Sequence, residues 1–280
     1  MTKDKDMTNI FLHGGDLHKN TASLVYNKPE EEITTDERTK AKTVSFSLLY
    51  GDVPFSFASK NNMPVEEAEE LFDNYYKNKP AVGQAIEDTH EFAQKHGYVE
   101  TLHGFRRFLG NATSNDKQKR NQALRQSFNA RIQGLGSWFT SMAITYIDDF
   151  IQTRNMKSKL IATVHDSIVV DTHPDEVKVM AKVVLHCMQN LPFDFLYIEY
   201  EGENIRYPIV ADMEIGTSYG DLVEYDENHM NEFNSPIGYV KYMLALQKIQ
   251  DYFESGKITE EEKESKENYI KENKEAFTKI

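Results

Sequence analysis

Apolar positions recur with a helical period over Thr34 to Tyr50, where polar residues fill the first turns and Val44, Phe46, Leu48 and Leu49 give an apolar exit. Thr35 or Asp36 can cap that helix, and Gly51 stops it. Pro64 to Lys77 predicts a second amphipathic helix with proline at its start, and Ala81 to Lys95 a third, ended by Gly97. Tyr98 to Leu109 reads as a strand pair turning at His103-Gly104. Lys117 to Thr153 is a long helical stretch, basic at first and apolar from Leu135 on, with Gly134 and Gly136 marking a break or a close approach. Lys159 to Thr172 carries the clearest β signal, two β-branched apolar runs flanking the polar turn His165-Asp166-Ser167. A helix over Pro174 to Asn190 and strands within Phe195 to Met213 follow. Strands and helices thus mix without the regular rhythm of a doubly wound sheet, which predicts an α+β fold.

Composition changes this picture in three places. The 280 residues suffice for one sizeable core or two modest ones. A single cysteine, Cys187, excludes an internal disulfide framework and fits a reducing compartment. No run approaches the roughly 20 apolar residues of a membrane span, and the opening MTKDKDM has no apolar signal core, so a cytoplasmic protein with no membrane partner is expected. The net charge of -13 argues at first against a polyanionic partner, but Lys95 to Gln133 holds eight Lys and Arg against two acids, the local patch from which nucleic-acid binding is read. From Leu222 to Ile280 the balance reverses, with thirteen acids and eight lysines; Gly238 to Phe253 reads as helix and Lys257 to Lys279 as a charged helix or disordered tail.

One constellation carries chemistry. Arg38, Lys42, Phe46 and Tyr50 follow one another at four-residue steps and are followed by Gly51. A step of about 400° places them on one slowly drifting helical stripe, two cations leading into two aromatics. Cations suit a polyphosphate and flat rings suit a base and sugar beyond it. The same row also describes a helix that is charged at its start and packed into a core at its end.

The segment RTKAKTVSFSLLYG resembles the nucleotide-binding helix, motif B, of family A DNA polymerases. GGDLHKNTA (14 to 22), TLHGFRRF (101 to 108), RQSFNARIQG (125 to 134) and VHDS (164 to 167) resemble further segments of that family in the same order. The resemblance implies the fingers and most of the palm of a right-hand polymerase, an antiparallel palm sheet covered by helices. It divides the chain into an entry segment (1–29), fingers helices (30–97), a palm with its catalytic hairpin at 159–172 (98–223) and a charged extension (224–280). It also implies roles. His18, Arg38 and Lys42 would contact the triphosphate of a dNTP, and Phe46 and Tyr50 would shape its sugar and base pocket. Arg125, Asn129 and Gln133, with Arg106, Arg107 and His165, would contact primer-template DNA. Asp166 would bind metal, one of the carboxylates that anchor two Mg²⁺ ions roughly 3.5 to 4 Å apart for nucleotidyl transfer.

Two departures qualify the match. The family's other metal-binding aspartate lies on a motif A strand upstream of the segment that matches Gly14 to Ala22, and MTKDKDMTNIFLH carries no such strand. The second aspartate, the thumb and any proofreading exonuclease are therefore expected outside this chain. An amino-terminal partner fragment is expected to complete it, as in a split or intron-interrupted polymerase of a bacteriophage, located in the bacterial cytoplasm. Ser167 stands where many relatives carry an acid after His-Asp, and His-Asp-Ser also resembles single-subunit RNA polymerases. That leaves an RNA polymerase fragment, or a catalytically inactive DNA-binding subunit, as alternatives.

Overall fold

The computed structural model describes residues 2 and 4–279; Met1 and Lys3 of the expected entry segment, and Ile280 of the expected extension, lie outside the described residues. Among the described residues the chain opens with six α-helices: α1 (Lys5–Leu12), α2 (Leu17–Tyr26), α3 (Thr35–Leu49), α4 (Pro54–Asn61), α5 (Val65–Asn78) and α6 (Pro80–His96). A hairpin of β1 (Tyr98–Glu100) and β2 (Arg106–Phe108) leads to the long helix α7 (Lys117–Thr153). Then come β3 (Lys159–Val164), β4 (Ser167–Asp171), α8 (Val177–Gln189), β5 (Tyr197–Tyr200), β6 (Glu203–Arg206), β7 (Glu214–Gly216) and β8 (Leu222–Glu224). Four helices close it: α9 (Glu227–Met230), α10 (Pro236–Glu254), α11 (Glu260–Glu272) and α12 (Lys274–Thr278). The fold is α+β. Among the described residues the strands form four separate antiparallel two-stranded ladders (β1-β2, β3-β4, β5-β6 and β7-β8) in place of the single sheet expected.

Two compact units divide the chain, Met1–Trp138 with Phe193–Pro208, and Phe139–Pro192 with Ile209–Ile280; the division falls within α7. In the first unit, α5 packs on α2, α3, α4 and α6 around Val44, Leu48, Phe57, Leu71, Phe72 and Tyr75. A second cluster joins Val99 of β1 to Ala93, Leu109, Ala123, Leu124 and Ala130. α7 is unbroken through Gly134 and Gly136, and Gly134 marks a close approach, since a Cβ there would lie 3.1 Å from Thr101. A helix tolerates the glycines at a propensity cost of about 1 kcal/mol each.

In the second unit, Ile147 and Ile151 of α7 pack with Met180 and Val184 of α8, joined by Leu160, Ile168 and Val170 of the β3-β4 hairpin. A further core gathers Val223 of β8 with Met230, Phe233, Tyr239, Val240 and Tyr242. The stretch 257–279, expected as a charged helix or disordered tail, forms α11 and α12, and a capping box of Thr259 and Glu262 starts α11.

Candidate nucleotide and nucleic-acid site

α3 owes its orientation to two opposed faces. Ala41, Val44 and Leu48 are buried in the first unit's core, while Lys42, Phe46 and Tyr50 are exposed and Arg38 is half-buried. The stripe is therefore a surface, and the alternative of a helix end packed into the core is excluded for Phe46 and Tyr50, which are 42% and 50% exposed. Thr34, one residue before the positions expected, caps the helix: it accepts from Glu37 N while the Glu37 side chain accepts from Thr34 N. Lys28 and Thr34 together hold the Glu37 carboxyl down at about 2.

His18 lies on α2 beside this face, its ring 5.8 Å from that of Phe46, while the Lys42 ammonium sits 5.9 Å from the same Phe46 ring. Burial pushes the His18 imidazole below its ordinary value, Lys42 and Arg38 add to the push, and Asp16 opposes it. The shift favours the neutral ring. Its Nδ1 is buried and has no hydrogen-bond partner among the described residues. Leaving that nitrogen unprotonated avoids burying an orphan N–H, which favours the tautomer with Nε2 as donor.

The structure adds Asp16, to which the sequence assigned no role. Its Oδ1 accepts from the backbone N–H groups of His18 (2.9 Å) and Lys19 (3.0 Å), capping α2, and its Oδ2 accepts from Arg38 Nε at 2.7 Å. The Arg38 hydrogen bond is the leading reason that the Asp16 carboxyl lies below the usual range. An N-cap aspartate is visible in sequence; its second contact, across 22 residues, is not.

The far end of α3 meets the DNA-contact row expected on α7. Gln133 Nε2 donates to the Tyr50 hydroxyl at 3.1 Å, and the Gly51 backbone packs so tightly on Arg125 that a Cβ there would lie 2.8 Å from Arg125 Cα. Arg125 and Gln133 are exposed and Asn129 is half-buried, so the row presents one accessible face. Other members of the basic stretch have protein partners. Arg131 donates to Glu100 O and Thr89 Oγ1, Arg120 to Ser114 O, and Arg106 Nε pairs with Glu100 at 2.6 Å with its guanidinium over Tyr98. Lys95, Arg107, Lys117 and Lys119 are exposed.

In the second unit, Asp166 and His165 stand exposed at the β3-β4 turn, with His165 at φ +57°. Among the described residues no group of three or more His, Cys, Asp or Glu side chains is placed to hold a metal ion. One carboxylate on a turn does not make a two-metal site, so the described residues do not by themselves fit a Mg²⁺ pair.

Residues 1–221 match the model of DNA polymerase family A. The DNA polymerase of Bacillus phage SP01 is 33% identical over 276 residues, 97% of this chain and 27% of the relative. DNA polymerase I of Pseudomonas aeruginosa is 32% identical over 178 residues (64% of this chain, 20% of the relative), and the thermostable enzyme of Thermus aquaticus 27% over 221 residues (79% and 24%). The solved POL domain of Pol1 from M. smegmatis, in complex with DNA primer-template and dNTP, superposes with a TM-score of 0.65 at 29% identity, covering 69% of this chain and 34% of that one. The chain belongs to DNA polymerase family A, and its fold is that of a fingers and palm portion. It spans about a quarter of the length of these curated relatives. Among the described residues no helix is long and apolar enough to cross a membrane.

Proposed function

We propose that this chain is the nucleotide- and DNA-binding part of a template-directed DNA polymerase, with 30–97 serving as fingers and 98–223 as palm. The observation that carries this is the solvent-accessible Arg38-Lys42-Phe46-Tyr50 face, half-buried at Arg38 and exposed beyond it, joined at its end to the α7 row through the Tyr50–Gln133 hydrogen bond. Arg38 and Lys42 neutralise phosphate charge, His18 adds a neutral donor, and Phe46 and Tyr50 close over the nascent base pair. Arg125, Asn129 and Gln133 meet the minor groove, whose acceptors are nearly independent of sequence, and so monitor pair shape. The reaction is attack of a primer 3′-hydroxyl on the dNTP α-phosphate with loss of pyrophosphate.

Asp166 supplies one carboxylate for the metal ions, and an amino-terminal polymerase portion supplies the other. The β3-β4 hairpin supports that division: it is two-stranded, and Ile161 and Val164 are 60% and 42% exposed. One face of the hairpin packs on α7 and α8 through Leu160, Ile168 and Val170, and a third, carboxylate-bearing strand would extend it and cover the exposed side chains. The POL domain of M. smegmatis Pol1, solved with primer-template and dNTP, supports the choice of ligands.

The test is Lys42→Ala in a complex with the amino-terminal portion. Synthesis on a primed template should fall at least about tenfold, the loss of roughly one charge-assisted hydrogen bond. Unchanged synthesis, with DNA binding that still depends on Arg125 and Lys119, would make the chain a DNA-binding subunit instead. The isolated chain with Mg²⁺ should extend primers negligibly.

A further inference from the structure

We infer that Asp16 is the positioning residue of the triphosphate grip, an inference that rests on the nucleotide-binding reading of α3. One carboxylate governs two of the three groups assigned to the phosphates. Oδ1 fixes the backbone of His18 by accepting from His18 N and Lys19 N, and Oδ2 engages Arg38 through Nε. An Arg side chain carries five N–H donors in a rigid fork, so a contact at Nε leaves the four Nη donors for a ligand. The carboxylate therefore sets the plane of the guanidinium without occupying the groups that would meet a phosphate.

The pair is too open to matter much for folding. Its side chains are 40% and 38% exposed, and a pair of that exposure contributes little to stability. Orientation is where it acts: long side chains lose rotamer freedom when they bind, and holding one in place beforehand removes that cost. Among the described residues no carboxylate pairs with Lys42; its neighbour is the Phe46 ring. Asp16 thus acts on Arg38 and His18 and leaves Lys42 alone.

Asp16→Asn and Asp16→Ser both preserve a good N-cap for α2 while breaking the contact to Arg38, the amide by opposing donor to donor and the serine by falling short. In the full chain, titrated with dATP and followed by calorimetry, each should weaken binding about tenfold, equivalent to about 1.4 kcal/mol, with unchanged helicity and melting temperature. In an Arg38→Ala background the same Asp16 substitutions should weaken binding only about twofold or less, because they keep the N-cap beneath His18 and the Arg38 contact they break is already absent. Equal losses in both backgrounds, unchanged affinity in the Arg38-containing chain, or a lowered melting temperature would each overturn the inference. Lys42→Ala separates this failure from failure of the underlying reading. If the wild-type chain binds dATP and Lys42→Ala weakens it while Asp16→Asn does not, only the role of Asp16 falls; if the wild-type chain does not bind dATP, both fall.

Discussion

Tyr75 is 4% exposed among the helices of the first unit, and burial, with smaller pushes from Tyr76 and Asp4, raises its hydroxyl to about 12. An unfolded tyrosine releases its proton near 10, so between pH 10 and 12 the unfolded chain ionises first. The contribution of Tyr75 is therefore fully present below pH 10 and is lost as pH rises toward 12. Between pH 9.5 and 11 the wild type should lose about 1 kcal/mol more unfolding free energy than Tyr75→Phe, as measured by urea titration. Parallel losses would show that the hydroxyl is not held in the core. The same desolvation acts on His18 in the other direction, because there burial penalises the protonated form. Neither environment is legible in the sequence: a tyrosine at a helical period signals a buried face, while the degree of burial depends on α2, α3 and α6 arriving from elsewhere.

α3 shows how far local pattern reaches. Four-residue spacing is enough to place Arg38, Lys42, Phe46 and Tyr50 on one face, because helix geometry converts spacing into direction. Whether that face meets water or core is decided by which other face has a partner: Ala41, Val44 and Leu48 are buried, and α3 packs on α2 and α5. The cap lies one residue before the positions the sequence suggests because Thr34, Thr35 and Asp36 are all acceptable caps, and only Thr34 also places Glu37 at the third position for a reciprocal bond. At the other end Gly51 had two reasons to be glycine, and only one was visible. A stop after α3 can be read from sequence, whereas the seat of Gly51 on Arg125 cannot. Gly51 has φ +73°, and an added Cβ would lie 2.8 Å from Arg125 Cα, Cβ and Cγ. Gly51→Ala should cost about 1–2 kcal/mol for the left-handed backbone and a further 1–3 kcal/mol for displaced packing. Since the contact is with the α7 row, binding of a primed template should weaken together with the loss in melting temperature. A variant as stable as the wild type would mean that α3 and α7 do not meet at this point.

At the scale of the whole molecule, the 224–280 stretch shows where composition misleads. Thirteen acids and eight lysines suggest a solvated appendage, yet the apolar residues among them are spaced to share one core. Tyr239 is fully buried; its hydroxyl donates to Glu224 O at 2.7 Å and accepts from Asp226 N at 3.2 Å, tying α10 to the end of β8. Phe233 packs against its ring, Tyr242 against Phe233 and Phe277 against Tyr242, and Lys274 lies over Phe233 and Tyr242 while pairing with Glu232. The similarity to the phage SP01 polymerase runs over 276 residues, past the end of the family match at residue 221, so the segment is not peculiar to this chain. A truncation after Glu224 removes Met230, Phe233, Tyr239, Val240 and Tyr242 and leaves Val177, Ile215 and Val223 facing water. Burying each large side chain is worth roughly 1.5–3 kcal/mol, against a typical total stability of about 5–15 kcal/mol, so the loss approaches the whole margin. The truncated chain should bind a hydrophobic dye and precipitate or unfold at ordinary temperature. Tyr239→Phe, which keeps the ring and loses two hydrogen bonds, should cost about 1–3 kcal/mol. A soluble truncation with an unchanged melting temperature would show instead that β7, β8 and α8 form a sufficient core alone, and the extension would then have to be explained by something it binds.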